Sequence, residues 1–246
     1  MTVAVIADIH GNSAALDAVL ADIARRKIGT VLNLGDSLSG PLDPAGTADR
    51  LIAEGIASIA GNHDRALIER PAVEYGLWEQ WTGPLLSAAH FDWLRGLAAT
   101  MRVGEMFLCH GTPQSDDENW LHVAAGDRLR PATHAEAAGP ARGLDSPVIL
   151  SAHPHMPRVV RLRGGPLLVN PGSVGCPAYR DGRVAPPFIA ETGSPDARYA
   201  VLEQGRAGWQ AALVAVPYDA SAMIAAAAAR GAEDWVVALE TGWMAP

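Results

Sequence analysis

A chain of 246 residues, 49% apolar and 19% charged, is long enough to bury a substantial core and has the composition of a globular protein. Its net charge of −8 argues against a broad electrostatic footprint for nucleic acid, and no apolar run approaches the roughly 20 residues that cross a bilayer. Two cysteines, Cys109 and Cys176, give no sign of a disulfide scaffold. The first strand begins almost at residue 1, leaving no space for a signal peptide, so a cytoplasmic address is the expectation. A homo-oligomer is compatible with this composition.

The first third alternates strand and helix. An apolar run over residues 3–7 reads as a buried strand and delivers Asp8-Ile9-His10. Residues 13–26 place Leu16, Val19, Leu20 and Ile23 on one helical face, with Asn12 or Ser13 available to cap the free amides. A second strand over 30–34 ends at Gly35-Asp36. Beyond a loop rich in Ser, Gly and Pro, Asp43-Pro44 makes a good helix start, Asp capping and Pro at the first helical position. That helix runs to about residue 54 and leads into the apolar run 56–60 and the turn Gly61-Asn62-His63-Asp64. Units of this spacing predict right-handed crossovers and parallel strands.

The middle changes character. Trp78, Trp81, Phe91 and Trp93 recur at helical spacing in places within residues 66–101, which predicts two or more helices whose aromatics pack rather than recognise a ligand. A strand over Met106–Cys109 delivers His110, and residues 112–145 show no clear strand. Segments 66–101 and 112–145 are expected as helical or loop caps near the strand ends. For 112–145 a solvated excursion is the equal alternative.

The last third turns antiparallel. A strand over 148–151 delivers His153-Pro154-His155. Residues 159–162 and 166–169 flank the turn Arg163-Gly164-Gly165 as a hairpin, and a glycine-rich loop follows at 170–175. A second hairpin joins 198–203 to 210–216, and helices are expected over the alanine-rich 220–230 and over 233–240. With no repeats and no convincing linker, residues 1–246 read as a single domain. Parallel units followed by hairpins suggest two mixed sheets packed face to face with helices outside both.

Five polar clusters thus hang off predicted strand ends, and they hold five of the eight histidines. Strands lying side by side gather those ends, and converging Asp, Asn and His side chains read as a metal site. Taken in order, Asp8-Ile9-His10, Gly35-Asp36, Gly61-Asn62-His63-Asp64, His110 and His153-Pro154-His155 resemble the calcineurin-like metallophosphoesterase superfamily. Residues 170–175 resemble the Asn-Pro-Gly-Ser loop of its small bacterial, YfcE-like branch. The resemblance spans residues 3–175. Ala152-His153-Pro154-His155 stands where the family usually has Gly-His-Thr-His, and both histidines survive.

The resemblance implies a four-layer α-β-β-α sandwich of two mixed sheets, the calcineurin-like phosphoesterase fold. It also implies two divalent transition-metal ions drawn from Mn, Fe, Zn or Ni. One would take Asp8, His10, Asp36 and His155. The other would take Asp36, Asn62, His110 and His153, with Asp36 bridging the pair. Two Asp carboxylates and neutral imidazoles give about −2, which two divalent cations turn into about +2. An acidic protein thereby keeps one attractive spot for phosphate. The implied chemistry is hydrolysis of a phosphomonoester or phosphodiester by attack of a metal-bridged hydroxide. His63, left off both metals, would stabilise developing charge or protonate the leaving group, with Asp64 orienting its ring.

Arg65 and Arg180 are candidate phosphate contacts, a surface position being the alternative for each. Asn33 is a candidate hydrogen bonder behind Asp36. His122 and His134 read as solvated, and Cys109 as a small core residue facing away from the site. Two other function classes stand beside the phosphoesterase. One is a non-catalytic metal-binding scaffold of the same fold, for which a retromer subunit lacking the catalytic histidine is the precedent. The other is a nuclease, against which the charge and the short chain weigh. The expected partner is a small phosphorylated substrate, not a membrane or nucleic acid.

Overall fold

A computed structural model describes residues 1–245. The chain opens with β1 (Thr2–Ile6), α1 (Ser13–Arg25), β2 (Val31–Asn33), α2 (Pro44–Ala53), β3 (Ala57–Ser58) and α3 (Asn62–Glu69). Asn12 caps α1 by accepting from the Ala15 amide at 3.0 Å, and Asp43 caps α2 by accepting from the Gly46 amide at 3.0 Å. Helices α4 (Leu77–Thr82) and α5 (Ala88–Arg95) follow. Next come β4 (Thr100–Val103), β5 (Met106–Cys109), β6 (His122–Ala125), β7 (Arg128–Pro131), α6 (His134–Ala138) and β8 (Val148–Leu150). The last part holds β9 (Arg158–Arg161), β10 (Leu167–Asn170), β11 (Ala178–Asp181), β12 (Phe188–Glu191), β13 (Ala197–Gly205) and β14 (Gly208–Val216). Helices α7 (Ser221–Ala229) and α8 (Glu233–Thr241) end the described chain.

Two five-stranded mixed sheets form the body. The first is ordered β14-β13-β1-β2-β3, with β1, β2 and β3 parallel. The second is ordered β4-β5-β8-β10-β9, with β5, β8 and β10 parallel. Side chains alternate along each strand, and that alternation sorts the core. Val3 and Val5 of β1 share one buried cluster with Met106, Leu108, Val148, Leu150, Leu167 and Val169 of the other sheet. Each Val, Leu or Met so buried contributes about 1.5–3 kcal/mol. The alternate residues face outward: Ala4 and Ile6 meet Leu16, Val19 and Ile23 of α1. On the other side Phe107, Cys109, Ile149 and Leu168 meet Trp120, Leu121 and Ala137. Trp120, Leu121, Ala137 and Ala141 thus cover the outer face of the second sheet, while most residues between 123 and 131 are exposed.

A third, four-stranded sheet, β11-β12-β7-β6, departs from the two-sheet expectation. Two of its strands lie in the segment read as strandless. They are four residues long and keep most side chains out of the core, so no apolar alternation marks them. Its buried Tyr179, Phe188 and Ala190 pack against Met223 of α7 and Trp235 and Leu239 of α8. His122, expected in solvent, is buried in β6 at 7% exposure, whereas His134 is exposed. Among the described residues, no helix is long and apolar enough to cross a membrane.

Candidate metal centre

The loops after β1, β2, β5 and β8, with the first turn of α3, meet at one edge of the sandwich. Backbone bonds lace the first two together. The amides of Asp8, His10 and Gly11 donate to the carbonyls of Gly35 (2.9 Å), Asp36 (3.1 Å) and Ser37 (3.0 Å). Asn33 fixes the base of the second loop by donating to Ser37 Oγ at 2.9 Å and Ser58 Oγ at 3.2 Å. The 170–175 loop buttresses the other side, where Ser173 Oγ donates to the Asp8 carbonyl at 2.6 Å and the Gly175 amide to the same oxygen at 3.1 Å. Two glycines allow this closeness. A Cβ at Gly175 would lie 1.8 Å from the Ile9 carbonyl oxygen, and one at Gly61 would lie 2.2 Å from Asp36 Oδ1.

Six of the candidate ligands form two adjoining triads. Asp8, His10 and His155 each offer a ligand atom within 4.8 Å of the others, as do Asp36, His110 and His153, and all six are buried. His155 Nε2 lies 3.1 Å from His10 Nε2 and 3.6 Å from Asp8 Oδ1. Asp36 stands between the triads. Its Oδ2 is 4.0 Å from His10 Nε2 and 3.2 Å from His110 Nε2, while its Oδ1 accepts from the His63 amide at 2.9 Å. Asn62 adjoins the second triad, 3.1 Å from His153 Nδ1.

The donor set fits divalent cations. The Nδ1 atoms of His10, His110 and His155 donate to the carbonyls of Ser39 (2.8 Å), Leu34 (2.7 Å) and Cys176 (2.8 Å), which turns each Nε2 inward. Both carboxylate oxygens of Asp8 are buried and lack a hydrogen-bond partner among the described residues. A group of that kind is costly to bury unless something compensates its charge. Asn62 fits either way. With nitrogen inward it donates to Asp36 Oδ2 (3.2 Å) and His153 Nδ1 (3.1 Å) and accepts from Arg183 Nη1 (3.2 Å). With oxygen inward it adds a further lone pair to the triad. Mixed carboxylate, amide and imidazole ligation suits transition-metal cations.

Backbone strain is concentrated on the same residues. Asp8, His10, Asp36, His153 and His155 all take left-handed φ values, between 50° and 75°. Lys27 is the one other non-glycine residue with a positive φ among those described. Each such residue costs about 1–3 kcal/mol, which the interlaced loops must offset.

Electrostatics divides the imidazoles. Burial lowers His10 to about 4 and His153 to about 3, and takes His155 well below its ordinary value, so these three are neutral at pH 7. At His110 burial also opposes charge, but Asp36 and Asp8 overcome it and raise the ring to about 10. Burial likewise opposes charge on Asp36, yet His110 and His63 hold its carboxyl well below the usual range. Burial prevails at Asp8, whose carboxyl is pushed well up.

His63 stands beside the triads with a partner the sequence did not reveal. Its Nδ1 lies 2.5 Å from Glu79 Oε1, and its ring stacks on Trp78 with centroids 4.9 Å apart and planes 18° apart. Glu79 is buried at 3% exposure. The orienting role expected of Asp64 is thereby corrected. Asp64 accepts from the amides of Ser37 and Gly61, each at 3.1 Å, and so ties the start of α3 to the Asp36 loop. Trp78 packs, as expected of the 66–101 aromatics, against the cluster around Trp235, and it also forms part of the wall beside His63. Glu79 belongs to no motif, and only the neighbouring tryptophans mark its stretch.

A cavity of about 510 Å³ opens over the triads and is lined by Asp36, Asn62, His63, His153 and His155, with Trp78 and Tyr179 on its wall. Arg65 and Arg180 also line it. Asp116 holds Arg65 through two bonds of 2.6 and 2.9 Å, and Arg180 is exposed. Arg183, unremarked in the sequence, lines the same cavity and reaches the Asn62 amide while paired with Asp181 at 2.9 Å.

A mixed two-sheet sandwich carrying adjoining Asp and His triads on one edge defines the metallophosphoesterase class. This chain belongs to the calcineurin-like phosphoesterase superfamily, whose domain model matches residues 1–189. Among solved structures, a metallophosphoesterase from Sphaerobacter thermophilus is similar with a TM-score of 0.76 at 24% identity, 99% of each chain being covered. The hypothetical protein PH1004 from Pyrococcus horikoshii OT3 gives 0.77 at 19% identity, again over 99% of each chain. The uncharacterised protein MJ0912 of Methanocaldococcus jannaschii is 26% identical over 203 residues, which is 73% of this chain and 78% of that protein. The family and the layered fold read from the motifs are borne out.

Proposed function

We propose that this protein is a dinuclear-metal phosphoesterase. The observation that carries the reading is the buried convergence of Asp8, His10 and His155 beside Asp36, His110 and His153. We assign Asp8, His10, Asp36 and His155 to one cation and Asp36, Asn62, His110 and His153 to the other. Two such cations, when bound, polarise phosphoryl oxygens and acidify a water.

The chain's own residues supply the rest. Nδ1 of His63 is occupied by Glu79, its amide by Asp36 and one ring face by Trp78, which leaves Nε2 to give a proton to the leaving oxygen. Glu79 fixes the tautomer and the aim of the ring. Arg183, gripped by Asp181 through two bonds of 3.1 and 2.9 Å and with Nη1 toward Asn62, sets a fixed positive charge on the cavity wall that would attract a phosphate. Arg65 is committed to Asp116 and acts from the rim. A metal-binding scaffold has no use for a proton donor held by a buried carboxylate, and that pair favours catalysis.

The test is Asp36→Asn. Because Asp36 lies between the triads, the variant is expected to lose metal from both positions and most turnover of aryl phosphate mono- and diesters. Asn62→Ala is expected to lose less metal. Full metal content in the Asp36 variant would contradict the assignment.

A further inference from the structure

We propose that a second cavity beside the metal centre holds a planar aromatic ring carried by the alcohol part of the ester, so that the substrate is nucleoside-like and not a simple alkyl phosphate. This rests on the phosphoesterase reading above. The second cavity measures about 290 Å³ and shares Leu77, Trp78, Tyr179 and Arg180 with the first. Trp81 and Trp235 complete its apolar walls. Trp235 is buried, but Trp81 is only half-buried and Leu77 is 58% exposed, so apolar surface stays open to a ligand.

Position ties this cavity to the chemistry. If His63 protonates the leaving oxygen, the leaving alcohol lies on the His63 side of the centre. The next group on that side is Trp78, stacked on His63 at 4.9 Å and edge-on to Trp235 at 5.0 Å. A run of aromatic rings therefore leads from the proton donor into the second cavity. Rings of this kind accept any flat π-system without reading its hydrogen bonds.

Charge narrows the occupant. Glu233 and Asp234, both exposed, line the second cavity and not the first. Carboxylates there repel a further phosphate and accept from amino or hydroxyl groups. Arg183 lines only the cavity over the triads, and Arg180 lines both cavities where they share a wall. The anionic end of a ligand is thus directed to Arg183 and its ring, bearing donor groups, to the tryptophans.

The test compares adenosine 5′-phosphate with ribose 5-phosphate, and the methyl diesters of both, on the manganese-loaded protein. The two monoesters share the leaving 5′ oxygen and differ at C1′, base against hydroxyl; in the methyl diesters release of the sugar alcohol is counted apart from release of methanol. The base is expected to raise kcat/KM at least about fivefold, chiefly through KM, as one stacked base does. Trp81→Ala is expected to bring that ratio toward one, and Leu77→Ala, at an exposed position the core does not need, to lower it. Equal kcat/KM within a pair that is turned over would overturn the aromatic subsite and leave the phosphoesterase reading standing. Absence of turnover on every ester would sink that reading instead. Tryptophan fluorescence then decides the subsite: saturable quenching by adenosine 5′-phosphate that Leu77→Ala or Trp81→Ala weakens upholds it, and no saturation rejects it.

Discussion

At the scale of single residues, His63 is where catalysis and metal binding come apart. It neighbours Asn62 and donates its amide to Asp36, yet its ring belongs to neither triad. His63→Ala is expected to keep near-normal metal content while losing about 10²–10⁴-fold in turnover. The loss should shrink for nitrophenolate leaving groups, which need protonation least. Glu79→Gln tests the partner, because it keeps the side-chain length and removes the charge. A fall in kcat with KM and metal content held is expected, and the double variant should lose no more than His63→Ala alone, since Glu79 acts through His63. Additive losses would make Glu79 an independent contributor. Missing metal in the His63 variant would make that residue a ligand.

At the scale of elements, the ligands are aimed by loops that share backbone bonds, and Gly175 is the tightest point of that lacing. A methyl group there would enter the space of the Ile9 carbonyl, within the loop that carries Asp8 and His10. Gly175→Ala is expected to destabilise the fold by about 1–3 kcal/mol or more and to weaken metal binding at the same time. Thermal melting with and without metal, together with a metal titration, would show it. Wild-type metal affinity in a destabilised variant would separate the loop from the site. Those loops were the legible part of the sequence. Asp8, His10, Asp36, Asn62 and His110 each follow an apolar run with a turn residue close by, so the runs placed them at strand ends, and the family resemblance supplied their expected roles as ligands. Glu79 was not legible. It reaches His63 only because a six-residue helix, α4, folds back over the site, and no local pattern records that long-range contact. The same limit explains Asp64, whose adjacency to His63 in sequence suggested a ring contact that its own amide partners exclude.

Over the whole molecule, deep burial made the two main sheets readable, and its lack in β6 and β7 hid half of the third, whose other strands, β11 and β12, are largely buried. Strands β6 and β7 keep few side chains in the core, so their pairing is set by tertiary contacts the local sequence does not announce. His122 in β6 shows what that cost: it lies at 7% exposure, and its Nδ1 lacks a partner among the described residues. Burial, with the nearby Arg158 guanidinium, lowers its pKa to about 4. In the unfolded chain a histidine titrates near 6.5, so between about pH 6.5 and 4 the unfolded state binds a proton that the folded state does not. Stability supplied by neutral His122 is thus complete above about pH 6.5 and is lost as pH falls toward 4. His10 and His153 are shifted in the same sense, so the measurement must be a difference. His122→Gln removes one titrating group without adding charge. Urea denaturation of both proteins from pH 8 to 4 is expected to give curves whose separation is constant above pH 6.5 and shifts in favour of the variant below it. The shift is at most about 1.4 kcal/mol per pH unit. Parallel curves throughout would mean that His122 titrates alike in both states, and its burial would then carry no pH-dependent cost.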